Sequence, residues 1–170
     1  MIEIAITPEH IALAKMKADD LGILRNSVEN GNGNMLGFLG EIIVAEYYGW
    51  KHENSYDYDI THKNYKIDVK TKGRKVRPKE NYFATVYNYN TKQACDYYYF
   101  VSIYNEEKAF LMGIIKKEDF YTKATFNKKG DLDTTSSPSY PFYFKAECYN
   151  LKYSELYPAE KIRRNETANM

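Results

Sequence analysis

The strongest structural signal in the sequence is a pair of short segments, residues 56–61 and 65–71, in which polar and apolar residues alternate. Such alternation is typical of half-buried β-strands, because successive side chains of a strand point to opposite faces. Between the segments, Lys63-Asn64 has the length of a two-residue hairpin turn. The pattern therefore predicts an antiparallel hairpin whose register pairs residue 60 with 67 and residue 59 with 68.

The predicted register brings ionisable side chains to one face of this hairpin. Asp59 would lie opposite Asp68 with Cβ atoms about 5 Å apart, and Asp57 would lie opposite Lys70. Like charges that face each other destabilise a sheet, whereas a shared divalent cation stabilises them because hard cations take oxygen ligands. With Glu41 from an upstream helix, these residues predict a metal site. An exposed hairpin face with solvated charges is the alternative.

The rest of the sequence predicts a single α+β domain. Helices are expected at residues 7–20 and 35–48, where apolar residues recur at helical spacing. Gly37 and Gly40 each weaken the second helix by about 1 kcal/mol relative to alanine, but they would let its backbone approach a sheet closely. Loops are expected at residues 28–34 and 127–141, which are rich in Gly, Asn, Asp, Thr, Ser and Pro.

Several later segments are rich in β-branched and aromatic residues and predict further strands. They are residues 82–87, 96–104, 108–115 and 142–151, with a short helix at 116–123. This order predicts one mixed β-sheet flanked by helices, rather than the regular alternation of a doubly wound fold. The domain is expected to span residues 1–157, followed by a polar tail at 158–170.

The composition predicts a cytoplasmic protein that does not enter a membrane. The sequence has no apolar run that approaches the ~20 residues needed to span a membrane. The first 20 residues do not resemble a signal peptide. Cys95 and Cys148 are far apart, so we expect buried, reduced thiols rather than a zinc site. His10, His52 and His62 form no known catalytic or metal-binding motif and are expected to be surface or packing residues.

A basic segment, KGRKVRPK at residues 72–79, directly follows the second strand of the hairpin. Such clusters are the usual electrostatic footprint for phosphate groups. Its position beside the predicted metal site indicates a nucleic-acid contact, although a solvated loop is the alternative. The predicted phosphate contacts are Lys72, Arg74, Lys75, Arg77 and Lys79.

Three segments resemble, in order, the motifs of the PD-(D/E)xK nuclease superfamily. They are GFLGE at 37–41, SYDYDI at 55–60 and IDVKTK at 67–72. The resemblance implies a restriction-endonuclease-like fold. Ser55 stands where the proline of the superfamily name would be, and either Asp57 or Asp59 can be the first acidic ligand. Asp59 is preferred because an apolar residue follows it and because the register places it opposite Asp68.

The resemblance also implies a chemistry, the hydrolysis of phosphodiester bonds in DNA with Mg²⁺ or Mn²⁺. Asp59, Asp68 and the main-chain carbonyl of Val69 would bind the ion, and Glu41 would hold a metal-bound water or a second ion. Lys70 would orient the attacking water and stabilise the developing negative charge. The near-neutral net charge of +1 leaves DNA and RNA equally open on electrostatic grounds, and only the resemblance favours DNA.

Three classes of function are consistent with these residues. The first is a small metal-dependent endonuclease of phage or mobile-element type, with an exonuclease and a Holliday-junction resolvase as variants. A resolvase would require a homodimer, and the sequence reveals no interface. The second is a nucleic-acid-binding protein that has this fold and no catalysis. The third is a structural or inhibitory partner protein, which would show no dependence on a metal.

Overall fold

The structure of the protein is a computed structural model that describes residues 1–21, 32–53 and 55–163. Three α-helices are present in these residues, α1 (Pro8–Leu21), α2 (Asn32–Tyr48) and α3 (Lys117–Lys123). The strands of the main sheet are β1 (Ile2–Ala5), β2 (Lys51–His52), β3 (Ile60–His62), β4 (Tyr65–Arg74), β6 (Tyr97–Tyr104), β7 (Lys108–Lys116) and β10 (Tyr157–Pro158). A smaller sheet contains β5 (Phe83–Tyr87), β8 (Thr125–Asn127) and β9 (Cys148–Lys152).

The main sheet is mixed, as the sequence predicted. Its strand order is β1-β7-β6-β4-β3-β2, and β10 also pairs with β7. Strand β4 runs parallel to β6, whereas the other pairs are antiparallel. The smaller sheet is antiparallel, with β9 between β5 and β8. The expectation of an α+β domain with a mixed central sheet and flanking helices is therefore confirmed. The expectation of one sheet is wrong, because β5 and β9 pair with each other in the smaller sheet and not with the main sheet.

The two faces of the main sheet are covered by different layers. Helix α2 packs on one face, where Leu39 and Ile43 meet Val69 and Val101 in a buried cluster. The smaller sheet and α3 cover the opposite face. Because side chains alternate along β4, Ile67 and Val69 point toward α2 while Asp68 and Lys70 point the other way. No helix in the described residues is long and apolar enough to cross a membrane.

Helix α2 lies very close to β4 at Gly40. A Cβ atom at this position would overlap Thr71 Oγ1 and lie 3.1 Å from both Thr71 Cβ and Cγ2. A Cβ at Gly37 would meet no atom within 4 Å among the described residues outside its own stretch of helix. The expected close approach of the helix to a sheet is therefore confirmed for Gly40, and Gly37 has no such role. The contact fixes the height of the neighbouring Glu41 above β4.

Several predicted boundaries differ from the structure. Helix α2 begins at Asn32, so the loop expected at 28–34 is wrong for its last three residues, and residues 28–31 lie outside the described part. Strand β3 begins at Ile60 instead of residue 56, and β9 begins at Cys148 instead of residue 142. Strand β4 continues to Arg74, into the segment that was expected to be a basic loop. Four short strands, β1, β2, β8 and β10, were not predicted.

The polar tail was expected to begin at residue 158, but the chain is still part of the folded domain there. Tyr157 and Pro158 pair with β7. Ala159 is fully buried in the apolar cluster between helix α2 and the main sheet. The hydroxyl of Tyr48 donates a hydrogen bond to the Ala159 carbonyl at 3.1 Å. The chain therefore remains part of the domain at least as far as Ile162, which packs on the same cluster. The rest of the expected tail from residue 164 lies outside the described residues.

Candidate functional site

The predicted hairpin forms with the predicted register. Ile60 pairs with Ile67, residue 61 with 66, and residue 62 with 65. Lys63 in the turn has a φ of 54°, the left-handed conformation that a tight two-residue turn requires. The register of the strand that carries Asp68 and Lys70 is therefore fixed by its partner β3.

Asp59 lies immediately before the first residue of β3, and its side chain, instead of its main chain, contacts the next part of β4. The Asp59 N–H donates to the Ile67 carbonyl at 3.0 Å, and Asp59 Oδ2 accepts the Val69 N–H at 2.7 Å. The pairing of Asp57 with Lys70 does not form, because β3 begins only at Ile60. Instead, Asp57 Oδ1 accepts the N–H of residue 94 at 3.2 Å. Of the two aspartates, Asp59 is therefore the one that contacts β4.

Asp68 and Lys70 form a buried ion pair on the face of β4 opposite helix α2. Asp68 is 2% exposed, and Lys70 Nζ lies 2.6 Å from Asp68 Oδ2. This contact lacks the angular geometry of a hydrogen bond, so Oδ2 is a buried oxygen without a hydrogen-bond partner in the described part of the chain. Lys70 Nζ does donate a hydrogen bond to Gln93 Oε1 at 3.0 Å. The lysine is thus held from two sides.

Glu41 reaches the same region from helix α2. Its Oε2 lies 2.9 Å from His52 Nε2, and both side chains are largely buried. His52 belongs to β2, which follows α2 after a tight turn at Gly49, where φ is 66°. The prediction that His52 is only a surface or packing residue is therefore incomplete, because it orients Glu41. The sequence offers no motif for this contact, which depends on the turn between α2 and β2.

The electrostatics show that three carboxylates lie close together. Burial raises the pKa of Asp59 well above its ordinary value, and Glu41 and then Asp68 raise it further through charge repulsion. The hydrogen bond from Val69 N–H and the Lys70 ammonium lower this pKa, but they only partly offset the increase. The structure thus brings Glu41, Asp68 and Lys70 close enough to Asp59 for their charges to affect its pKa.

The donor atoms of this cluster are suitable for a hard divalent cation, although they are not arranged around one. In the described residues, no group of three or more His, Cys, Asp or Glu side chains is placed to hold a metal ion. Glu41, Asp59 and Asp68 are each engaged with a different protein group. Asp68 Oδ2 has the Lys70 ammonium beside it but accepts no hydrogen bond in the described residues. A cation would coordinate this oxygen and relieve the mutual repulsion of the carboxylates.

Val69 can supply a further oxygen at the same edge. Its N–H points toward Asp59, and the N–H and C=O of one strand residue point to the same side. The carbonyl of Val69 therefore also faces the edge of β4 that β3 leaves uncovered. A cation at this edge would be within reach of main-chain and carboxylate oxygens together.

The basic residues that were predicted to bind phosphate are found in different environments. Lys72 is exposed on β4, on the same face as Asp68 and Lys70, but the packing around its ammonium and then the Arg74 charge lower its pKa. Lys75 and Lys79 are exposed beyond the strand. Arg74 instead donates to Ser102 Oγ and Tyr153 OH at 3.3 Å, and to a main-chain carbonyl of β5 at 3.4 Å. Arg77 contacts Glu3. The exposed lysines are the members of this set that are open to a ligand.

The other histidines and the two cysteines supply no ligand atoms to the carboxylate cluster in the described residues. His10 caps α1 through reciprocal hydrogen bonds with Thr7 at 3.1 and 3.2 Å, and His62 stacks on Trp50 with centroids 5.0 Å apart. Cys95 and Cys148 are buried free thiols, as expected. Burial raises the pKa of Cys95 to about 12, so this thiol is not a nucleophile at neutral pH.

Gln93 is the functional neighbour that sequence reasoning missed. Besides accepting from Lys70, its Nε2 donates to the Tyr56 carbonyl at 3.1 Å, which anchors the amide. It lies in the segment between β5 and β6, where the sequence has no motif. Comparisons with protein-family models and with curated proteins find no match to this chain. The case for a function therefore rests on the geometry of the cluster.

Proposed function

We propose that this protein is a metal-dependent nuclease that hydrolyses phosphodiester bonds in DNA, acts in the cytoplasm and is related to the PD-(D/E)xK superfamily. The observation that carries the proposal is the convergence of Glu41, Asp59 and Asp68 with Lys70 at the edge of β4. Burying three carboxylates beside one ammonium is unfavourable. A bound cation would provide the missing positive charge.

Mg²⁺, with Mn²⁺ as a substitute, is the cation that this set of oxygen ligands fits. Asp59, Asp68 and the Val69 carbonyl would hold it, and Glu41 would hold a metal-bound water or a second ion. When bound, the cation would make a coordinated water more acidic and neutralise charge on the phosphate.

The protein groups around the cation would position the other reactants. Lys70, oriented by Asp68 and Gln93, would direct the attacking water and stabilise the negative charge that develops on the phosphate oxygens. His52 would keep Glu41 turned toward the cluster. The exposed Lys72, Lys75 and Lys79 would contact neighbouring phosphates, which positions the strand without reading its sequence.

A nucleic-acid-binding protein without catalytic activity is the second candidate. It is favoured by one observation, namely that each carboxylate is already engaged with a protein group and no metal-holding group is formed among the described residues. A Holliday-junction resolvase is a variant of the first candidate, and it would act as a homodimer.

Plasmid cleavage with Mg²⁺, Mn²⁺ or EDTA tests the proposal directly. The wild-type protein should cut in either metal and not in EDTA. Asp68→Asn and Lys70→Ala should each lower the rate by at least about a hundredfold, because each removes a group that acts on the transition state. Lys108→Ala is a matched control, since Lys108 lies at the opposite end of the sheet, and it should retain full activity.

The outcomes separate the candidate functions. Binding of DNA by the wild type without any cutting, unchanged in Asp68→Asn and Lys70→Ala, would support the inactive binding protein. Absence of both cutting and binding would support a structural or inhibitory partner protein. Supercoiled, linear, branched and single-stranded substrates, and RNA, would then distinguish the variants of a nuclease.

A further inference from the structure

A cavity of about 480 Å³ lies where strands β4 and β6 begin and β7 ends. Its volume is within the range of small-molecule sites in proteins, about 300–1,000 Å³. Three tyrosines contribute to its walls, and two lysines and two acidic residues are also present. The tyrosines are Tyr65, Tyr97 and Tyr121, and the charged residues are Asp96, Lys116, Lys117 and Glu118.

The aromatic side of the cavity is held rigidly and is partly open. Tyr65 is 50% exposed, and its ring meets Tyr97 edge to face with centroids 5.3 Å apart. Tyr121 is fixed by a hydrogen bond of 2.8 Å between its hydroxyl and that of Tyr98. An exposed aromatic ring whose orientation is fixed by a neighbouring ring is suited to stacking with a planar ligand.

The charged residues favour a neutral ligand over a second phosphate. Lys116 and Lys117 are balanced by Asp96 and Glu118. The Asp96 carboxylate accepts the N–H of residue 66 at 2.8 Å, so it is held at the wall. A phosphate in the cavity would meet these acids, whereas a heterocyclic base offers donors and acceptors that can use groups of both signs.

The cavity adjoins the carboxylate cluster. Tyr65 precedes Asp68 by three residues on β4, a distance of about 10 Å along an extended strand. Lys117 Nζ donates to the main-chain carbonyl of Gln93, and Lys70 Nζ donates to the side chain of the same residue. Cys95 in the cavity wall is close enough for the Asp68 charge to affect its pKa. If the phosphate of one nucleotide lies at the carboxylate cluster, the base of the adjacent nucleotide is therefore within reach of the cavity.

We propose that this cavity binds one nucleobase of the DNA strand that is cut, next to the phosphate that a cation bound by Glu41, Asp59 and Asp68 would hold. The inference rests on the proposed function in that the base belongs to the substrate of the same site. A base in the cavity is not paired, so the substrate would be single-stranded, branched or locally opened. Extruding a base from a duplex costs a few kcal/mol, so a continuous duplex would be cut more slowly.

Binding of deoxyadenosine 5′-monophosphate and of 2-deoxyribose 5-phosphate to the whole protein in EDTA tests the inference, with NMR titration as the readout. The nucleotide should bind, whereas the sugar phosphate, which lacks the base, should bind at least about tenfold more weakly. Tyr65→Leu should weaken nucleotide binding by about tenfold, the loss expected for one stacking partner. Tyr65→Phe, which keeps the ring, should bind as the wild type does.

Tyr140→Leu is the matched control, because Tyr140 is 83% exposed and does not line the cavity; it should bind normally. Equal binding of the two probes, absence of nucleotide binding, or unchanged binding by Tyr65→Leu would overturn the inference. The titration needs no metal and no cleavage. A protein that cuts plasmid but does not bind the nucleotide would keep the proposed function and lose this inference. A protein that binds the nucleotide through Tyr65 but does not cut would lose the proposed function and keep only the base-binding cavity.

Discussion

At the scale of single residues, the carboxyl group of Asp59 carries the largest electrostatic conflict in the candidate site. It is buried beside Glu41 and Asp68, and both neighbours add to the effect of burial in raising its pKa. A raised pKa means that the folded chain binds this proton more tightly than the unfolded chain does. The free energy of unfolding therefore falls as pH rises from the ordinary pKa of aspartate, about 4, through the raised value of Asp59.

Asp59→Asn should remove this pH-dependent loss of stability. Its amide oxygen can still accept the Val69 N–H, but the side chain carries no charge. In EDTA at neutral pH, we expect Asp59→Asn to have a higher Tm and a larger free energy of unfolding than the wild type. Each unit of pKa difference corresponds to about 1.4 kcal/mol. The advantage should shrink as pH falls through the raised pKa of Asp59 and vanish below about pH 4, where Asp59 is protonated in both states.

Denaturation curves at a series of pH values would check this expectation, and Asp57→Asn is the control from a neighbouring position outside the carboxylate cluster. Added Mg²⁺ should raise the Tm of the wild type more than that of Asp59→Asn, because the cation relieves a repulsion that the variant lacks. A variant that is less stable than the wild type at neutral pH in EDTA would show that the charge of Asp59 is not the source of strain.

Residues that share a strand were the predictable part of the site. Asp68 and Lys70 could be assigned to one face from alternation alone, and the structure has them there as an ion pair. Gln93 and His52 could not be found in this way. Each contacts the site through a segment whose path depends on tertiary packing, and neither is part of a local pattern that indicates its partner.

At the scale of secondary-structure elements, the hairpin shows both the strength and the limit of alternation. The register between β3 and β4 follows from turn length and was predicted. The start of β3 was not predicted correctly. The strand is shorter than expected because the Asp59 carboxylate accepts the Val69 N–H. In a longer strand, a main-chain carbonyl would have accepted it. Alternation of residue types does not reveal such a substitution, since side-chain and main-chain acceptors satisfy the same donor.

The contact between α2 and β4 leads to a prediction about Gly40. Gly40→Ala would gain up to about 1 kcal/mol of helix propensity, but the new methyl group would overlap Thr71. Overpacking of this kind typically costs about 1–3 kcal/mol. Because the overlap with Thr71 is severe, we expect a cost in the upper half of this range and a net loss of stability of about 1–2 kcal/mol. We also expect a fall in the proposed nuclease activity, because the adjacent Glu41 would be displaced. Denaturant titration and plasmid cleavage would measure the two effects.

Two further variants isolate the steric cause. Gly37→Ala lies in the same helix, and no described residue outside its own stretch of helix has an atom within 4 Å of the new methyl group. This variant should therefore be neutral or stabilising by up to about 1 kcal/mol. Thr71→Ala in the Gly40→Ala background removes the overlapping atoms and should recover part of the lost stability. Equal effects of alanine at the two glycines would mean that helix propensity, and not the close approach to β4, determines the result.

At the scale of the whole molecule, the smaller sheet was the least predictable feature. Strand β5 pairs with β9, whose residues are more than 60 positions away in the sequence. Its placement on the main sheet depends on contacts such as those of Arg74, which lies on β4. The guanidinium joins Ser102 in the main sheet to a β5 carbonyl and to Tyr153. A run of basic residues predicts charge, but it does not indicate which side chains turn inward.

Arg74 and Lys75 should therefore respond differently to substitution, although they are adjacent in the basic segment. Arg74→Met removes hydrogen bonds between the two sheets and stacking on Tyr82, so it should lower the free energy of unfolding by about 2–3 kcal/mol. Lys75→Ala should leave stability unchanged, because Lys75 is exposed. It should instead weaken the proposed binding to DNA and reduce the slope of log affinity against log salt by about 1. Denaturant titration and salt-dependent binding of both variants would check this difference. A stable Arg74→Met protein with a reduced salt slope would show that Arg74 contacts phosphate instead of joining the sheets.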